Sequence, residues 1–174
     1  MEQKEDEEKK NDLFRDTPVR YLGYANEVGE AFRSMVHVNL VRLTYVVASG
    51  YVVADAVHKG QEASQKTYED EKKKQSRVRT AVLDTLIWQG LASVAIPGFT
   101  INRVCTFSGL LLKKSTSWPA PIRHWTTTFI GLACIPFIIK PIDRSVDYFM
   151  ENSFRKWFQV GPVLKELVHH ERND

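Results

Sequence analysis

Cysteine is almost missing from this chain. The two residues present, Cys105 and Cys134, both stand in apolar surroundings. A lone thiol there is most often a small buried hydrophobe, and two so placed make neither a disulfide framework nor a metal cluster. The five histidines do not make up the lack, because His169 and His170 are adjacent instead of a turn apart and no carboxylate or cysteine group completes a site. Also missing are the phosphate-cradling loops G-x-x-x-x-G-K-[ST] and G-x-G-x-x-G and the nucleophile elbow G-x-S-x-G. An enzyme reading has nothing to stand on, so no catalytic residue, cofactor, metal or small-molecule substrate is expected.

The opening residues 1–12 lack an apolar run and carry more acids than bases. They read as a disordered charged segment, neither a secretory signal nor a cleavable basic presequence. Charge elsewhere is clustered, in 58–79, 113–124 and 143–174, with long intervals between that are almost free of it. A mean hydropathy of -0.30 averages these two kinds of segment and describes neither.

The alternation is that of membrane spans and loops. Residues 35–57 carry only Arg42 and Asp55 as full charges, and about twenty helical residues cover a hydrocarbon core of about 30 Å. Residues 80–101 carry only Asp84 and continue apolar beyond Arg103. Residues 125–139 carry no charge at all but are short for a full crossing. Trp118, Arg123, His124 and Trp125 precede this third block and Lys140 follows it, as interfacial residues do. The fold class expected is all-α: a small integral-membrane helical bundle of about three kinked or short spans with flanking amphipathic helices.

Thr17-Pro18 reads as a helix start, followed by Leu22, Ala25, Val28, Ala31 and Phe32 at helical spacing. Ala25 and Gly29 have the spacing of a close helix contact, although chance explains such a pair equally well. Residues 58–79 are dense in charge and read as a solvated loop within a helical domain spanning 13–158, and 159–174 read as a flexible tail. A nucleic-acid partner is not expected, since the basic residues of that loop come with no aromatic platform.

Four positions stand out as functional or structural candidates. Asp84 is an intramembrane carboxylate, expected to pair with Lys59, Arg77 or Arg79 of the loop or, on a sharper reading, to bind a proton or ion. Arg42 is expected to point into the bundle or a wet crevice. Pro97 and Gly98 are expected to kink the second span or turn it back, and Pro136 to kink the third. Beyond Pro141, an apolar stripe of Ile142, Val146, Phe149, Met150, Phe154 and Trp157 marks a helix lying along the membrane surface or packed on the bundle.

The runs RDTPVRYLGYANEVGEAFRS (15–34), ASVAIPGFTINRVC (92–105), WTTT (125–128) and PIDRSVDYF (141–149) closely resemble the mitochondrial fission process protein family. The likeness covers about 13–158 and departs at the acidic start, the charged loop and the tail. It implies a non-enzymatic, multi-pass protein of the inner mitochondrial membrane that promotes division and influences network morphology and apoptotic sensitivity. Its implied partners are inner-membrane lipids and unidentified inner-membrane or fission-machinery proteins. From another functional class, a small ion or proton channel or carrier would use Arg42, Asp84 and the Pro97-Gly98 break.

Overall fold

The computed structural model describes residues 18–68 and 70–157. Expectations for 1–12 and 159–174 lie outside the described residues. Among those described, the chain is helical without strands. A 3-10 turn, Pro18–Tyr24, leads into α1 (Ala25–Ala31), followed by α2 (Val38–Gln65) and α3 (Glu71–Gln89). A π-helical segment, Gly90–Ala95, joins α3 to α4 (Ile96–Ser115), and α5 (Ala120–Asn152) and α6 (Phe154–Trp157) complete the order. Three helical stretches are long and apolar enough to cross a bilayer: Val38–Gln65, Glu71–Ser115 and Ala120–Lys156.

The bundle has its polar groups inside and its large apolar ones outside. Phe99, Phe107, Leu110, Phe129 and Phe137 are exposed, whereas Asn26, Glu27, Glu30, Asp55, Asp84, Thr128 and Asp147 are buried. In water this arrangement would forfeit the hydrophobic effect; in lipid, apolar side chains face acyl tails and polar groups find partners within the protein. The same inversion is seen on the first helix. Leu22 and Val28 point outward while Asn26, Glu27 and Glu30 point in.

Small residues let the helices approach. Gly29 abuts the Thr44 side chain. Gly98 lies under the Tyr45 ring, Gly131 against Cys105 and Ala31, and Gly60 against Val82. These contacts also set the depths of the helices. Tyr45 is level with Gly98, Asp55 with Gln89, and Gly60 with Val82. On α4 and α5, Cys105 is level with Gly131, and Gly109 with Thr127. The 3-10 turn and α1 run back along the first half of α2, with Gly23 against Tyr51, and do not cross the bundle themselves.

Three expectations about the helices are corrected. Residues 58–79 are not one loop, because α2 continues to Gln65 and α3 begins at Glu71. Ala63, Ala81 and Val78 pack between these two ends, and Asp70 caps α3 by accepting from the Lys72 backbone N–H. Pro97-Gly98 neither breaks nor reverses the second span; the π segment just before it makes room for a residue that has no N–H to donate. Pro136 and Pro141 likewise lie within a continuous α5. The third crossing is therefore not short, and the stripe after Pro141 is its continuation. Ile142, Val146 and Met150 are buried against Ala92, Ile87 and Trp88, which selects bundle packing over a surface-lying helix.

Gly29→Ala should lower the apparent Tm of the detergent-purified chain by several degrees, since the added methyl collides with Thr44, an overpacking cost of about 1–3 kcal/mol. Gly50→Ala, with nothing near its side-chain position, should leave the Tm unchanged or slightly raised; thermal circular dichroism separates the two.

Candidate functional site: the buried polar clusters

Three polar clusters cross the helix interfaces. The first is centred on Glu30, which α1 delivers to the middle of the bundle. Its carboxylate accepts from Arg33 Nε and a terminal guanidinium nitrogen, each at 2.6 Å. It also accepts from the Tyr45 hydroxyl at 2.9 Å and Asn102 Nδ2 at 2.8 Å. Burial alone would raise the Glu30 carboxyl, but the hydrogen bonds from Arg33, Asn102 and Tyr45 outweigh it and hold the group below the usual carboxylate range. One side chain thus ties α1 to α2 and α4. Beside it, Asn26 Nδ2 donates to the Val94 carbonyl in the π segment at 3.0 Å, and the Thr128 hydroxyl donates to the Ala31 carbonyl at 3.0 Å, docking α5.

The second cluster binds the far end of α5 and α6 to α3. Arg155 donates through two nitrogens to both Asp84 oxygens at 2.8 Å, a bidentate fork, and lies 3.6 Å from Asp147. Asp147 also accepts from Trp88 Nε1 at 3.0 Å. Asp84 therefore does not pair with the expected loop cations; its counter-charge comes from the other end of the sequence. In the third cluster Gln89 donates to Asp55 and accepts from the Ser93 hydroxyl.

The four candidates do not form one site. Asp84 joins the second cluster, and Gly98, buried beside Pro97, lies against Tyr45 and Asn26 near the first. Arg42 is exposed, reaching Asn39 Oδ1 at 3.4 Å, so it does not point into the bundle. It lies one turn from the start of α2, on the face opposite buried Val41 and Ala48. Sequence reasoning missed Glu30 and Arg155. Local pattern gives neither away: Glu30 is one of several charges on an amphipathic helix, and Arg155 is one of the polar residues that oppose the apolar stripe after Pro141.

Glu27 is the unbalanced member. It is 1% exposed, and its Oε2 has no hydrogen-bond partner among the described residues. Burial pushes its carboxyl up to about 7. Below 4.5, its ordinary value, the group is neutral whether folded or unfolded and costs nothing. Between there and about 7 the unfolded chain ionises first, so stability falls as pH rises, and the full cost stands above about 7.

Glu27→Gln should therefore raise the apparent Tm at pH 8, by an amount corresponding to ~2 kcal/mol, and change little at acid pH; a melting series across pH reads the difference. Asp84→Asn should destabilise by about 3 kcal/mol, because it removes the bidentate partner of the largely buried Arg155 guanidinium and leaves it only the longer contact with Asp147. Exchanging the pair, Asp84→Arg with Arg155→Asp, should recover little of that loss, because a carboxylate at position 155 would face that of Asp147.

Comparison with known proteins places these clusters in a family context. The family model described as Mitochondrial 18 KDa protein (MTP18) matches residues 13–150. A Homo sapiens protein named Mitochondrial fission process protein 1 is 58% identical over 147 residues, 84% of this chain and 88% of its own length. The Danio rerio protein of that name is 57% identical over 150 residues, 86% and 90% of the two chains. The Caenorhabditis elegans one is 55% identical over 154 residues, 88% and 93%. No solved structure matches.

Proposed function

Because the chain belongs to the Mitochondrial 18 KDa protein (MTP18) family, we propose that it is a multi-pass protein of the inner mitochondrial membrane that promotes division of the organelle without catalysing a reaction. A single observation carries this reading: relatives more than half identical along most of both chains are named for the mitochondrial fission process. The three span-length helices, with apolar surfaces and polar interiors, support residence in a bilayer. The interior clusters support a structural role for the buried charges, each tying helices together where a catalytic group would face a cleft. Changes in network morphology and apoptotic sensitivity follow from altered division.

The channel alternative draws less support. Asp84 is committed to Arg155, Arg42 faces outward, and Pro97-Gly98 is packed within a continuous helix.

Removing the protein from cells should elongate the mitochondrial network, and overexpressing it should fragment the network. The tagged protein should stay in the pellet on alkaline carbonate extraction and resist protease until the outer membrane is ruptured. Unchanged morphology at both extremes of expression would exclude the division role; release by carbonate would exclude the spans. Ion flux through reconstituted protein that Asp84→Asn abolishes would favour the channel.

A further inference from the structure

The outer apolar surface of the bundle is stepped. From the contacts that level Tyr45 with Gly98 and Gly60 with Val82, the start of α2 at Val38 falls level with about Cys105. The chain of α4 runs on to Ser115, and at 1.5 Å per residue it rises roughly 15 Å beyond that level, with the first turns of α5 beside it. The raised part is lipid-like on its outside: Phe107, Leu110, Leu111, Ile122 and Phe129 are exposed. It ends in Lys113 and Lys114 facing Arg123, with exposed Trp118 and Trp125, the composition of a membrane–water boundary.

Two exposed arginines sit well below that boundary. Arg42 on α2 and Arg103 on α4 lie at nearly the same depth as the α1-to-α2 turn, which carries exposed Arg33 and His37. Neither arginine has a carboxylate partner among the described residues. Arg42 reaches Asn39, while Arg103 donates to Asn102 Oδ1 and lies over the Phe99 ring, 5.3 Å from its centre. The nearby acids, Glu27 and Glu30, are buried, and no Asp or Glu occurs between Asp84 and Asp143. An arginine side chain does not span the remaining distance of about 15 Å from Arg103 to the Lys113 level by snorkelling. A guanidinium left in hydrocarbon is costly, and water or headgroups drawn to it relieve that cost.

We propose that the phosphate groups of anionic phospholipids descend to Arg42 and Arg103, so that the membrane surface meets the α1–α2 side of the bundle at the start of α2, about 12–15 Å short of the α4–α5 tip. The ledge carries two arginines with no carboxylate partner among the described residues, Arg33 there being paired with Glu30, and the apolar surfaces of α2 and α4 beside it suit acyl chains, so the occupant is a lipid and not a free anion. The protein thereby holds one leaflet at two heights, a deformation of the kind membrane division needs. This rests on the membrane reading above, which alkaline extraction of the same variants tests separately.

The test uses the full chain in phosphatidylcholine nanodiscs with or without phosphatidylglycerol. Native mass spectrometry should find phosphatidylglycerol retained by the wild type, retention cut about tenfold in Arg42→Gln/Arg103→Gln, and retention largely kept in Arg42→Lys/Arg103→Lys. Independently of those variants, single cysteines at Asn39, Ser115 and Val47 are introduced into a Cys105→Ser/Cys134→Ala background and labelled with a membrane-impermeant maleimide. Asn39→Cys should react nearly as fast as Ser115→Cys and about tenfold faster than Val47→Cys. Equal lipid retention by the arginine-to-glutamine variant would overturn the proposal. So would labelling of Asn39→Cys as slow as that of Val47→Cys, which would mean that acyl chains or another protein cover the ledge.

Discussion

Glu30 is the residue on which the arrangement of the first half of the molecule depends. Its carboxylate is 2% exposed yet fully engaged, taking hydrogen bonds from its own helix turn, from α2 and from α4. In a membrane there is little hydrophobic gain from bringing one apolar helix onto another, since lipid tails are as apolar as leucine. Helices are held by close packing and by polar groups that have nowhere else to go. Glu30, with the glycine contacts on either side of it, supplies both for α1. Since α1 is too short to be stable alone, its helical form and its docking are one event.

The same logic governs the opposite end. Asp84, Asp147, Trp88 and Arg155 form a closed set in which an arginine neutralises two carboxylates and an indole satisfies a remaining lone pair. Between these two clusters lie the hydrogen bonds of Gln89 with Asp55 and Ser93, together with small side chains and threonines. Polar contacts at three levels therefore hold the helices together. Glu27 stands apart: it is buried like Glu30 without the donors that stabilise Glu30, and its carboxyl is displaced upward in consequence.

Much of this was legible in the sequence. The low charge of 35–57, 80–101 and 125–139 marked the three crossings, because the cost of a charge in hydrocarbon shows directly in composition. What composition could not show was where each span stops. The charged run 58–79 read as a loop, but charge on one face of a helical hairpin is compatible with Ala63, Val78 and Ala81 packed on the other. Nor could composition show that the second span runs on past Pro97 without turning back. Pro97 and Pro136 each remove one hydrogen bond, and a π segment or a packed neighbour absorbs that locally without ending the helix. The partner of Asp84 was out of reach of local pattern altogether, because Arg155 lies 71 positions away and is brought near only by the return of α5.

That separation along the chain has a consequence for biogenesis. Asp84 enters the membrane region with the second crossing, but its counter-ion is made only after the third has been synthesised and has returned. Until then the carboxylate lacks the guanidinium that forks onto both its oxygens. Completion of the chain closes the fork. A chain truncated before Arg155 retains all three apolar blocks but lacks the fork that joins α3 to the far end of the bundle.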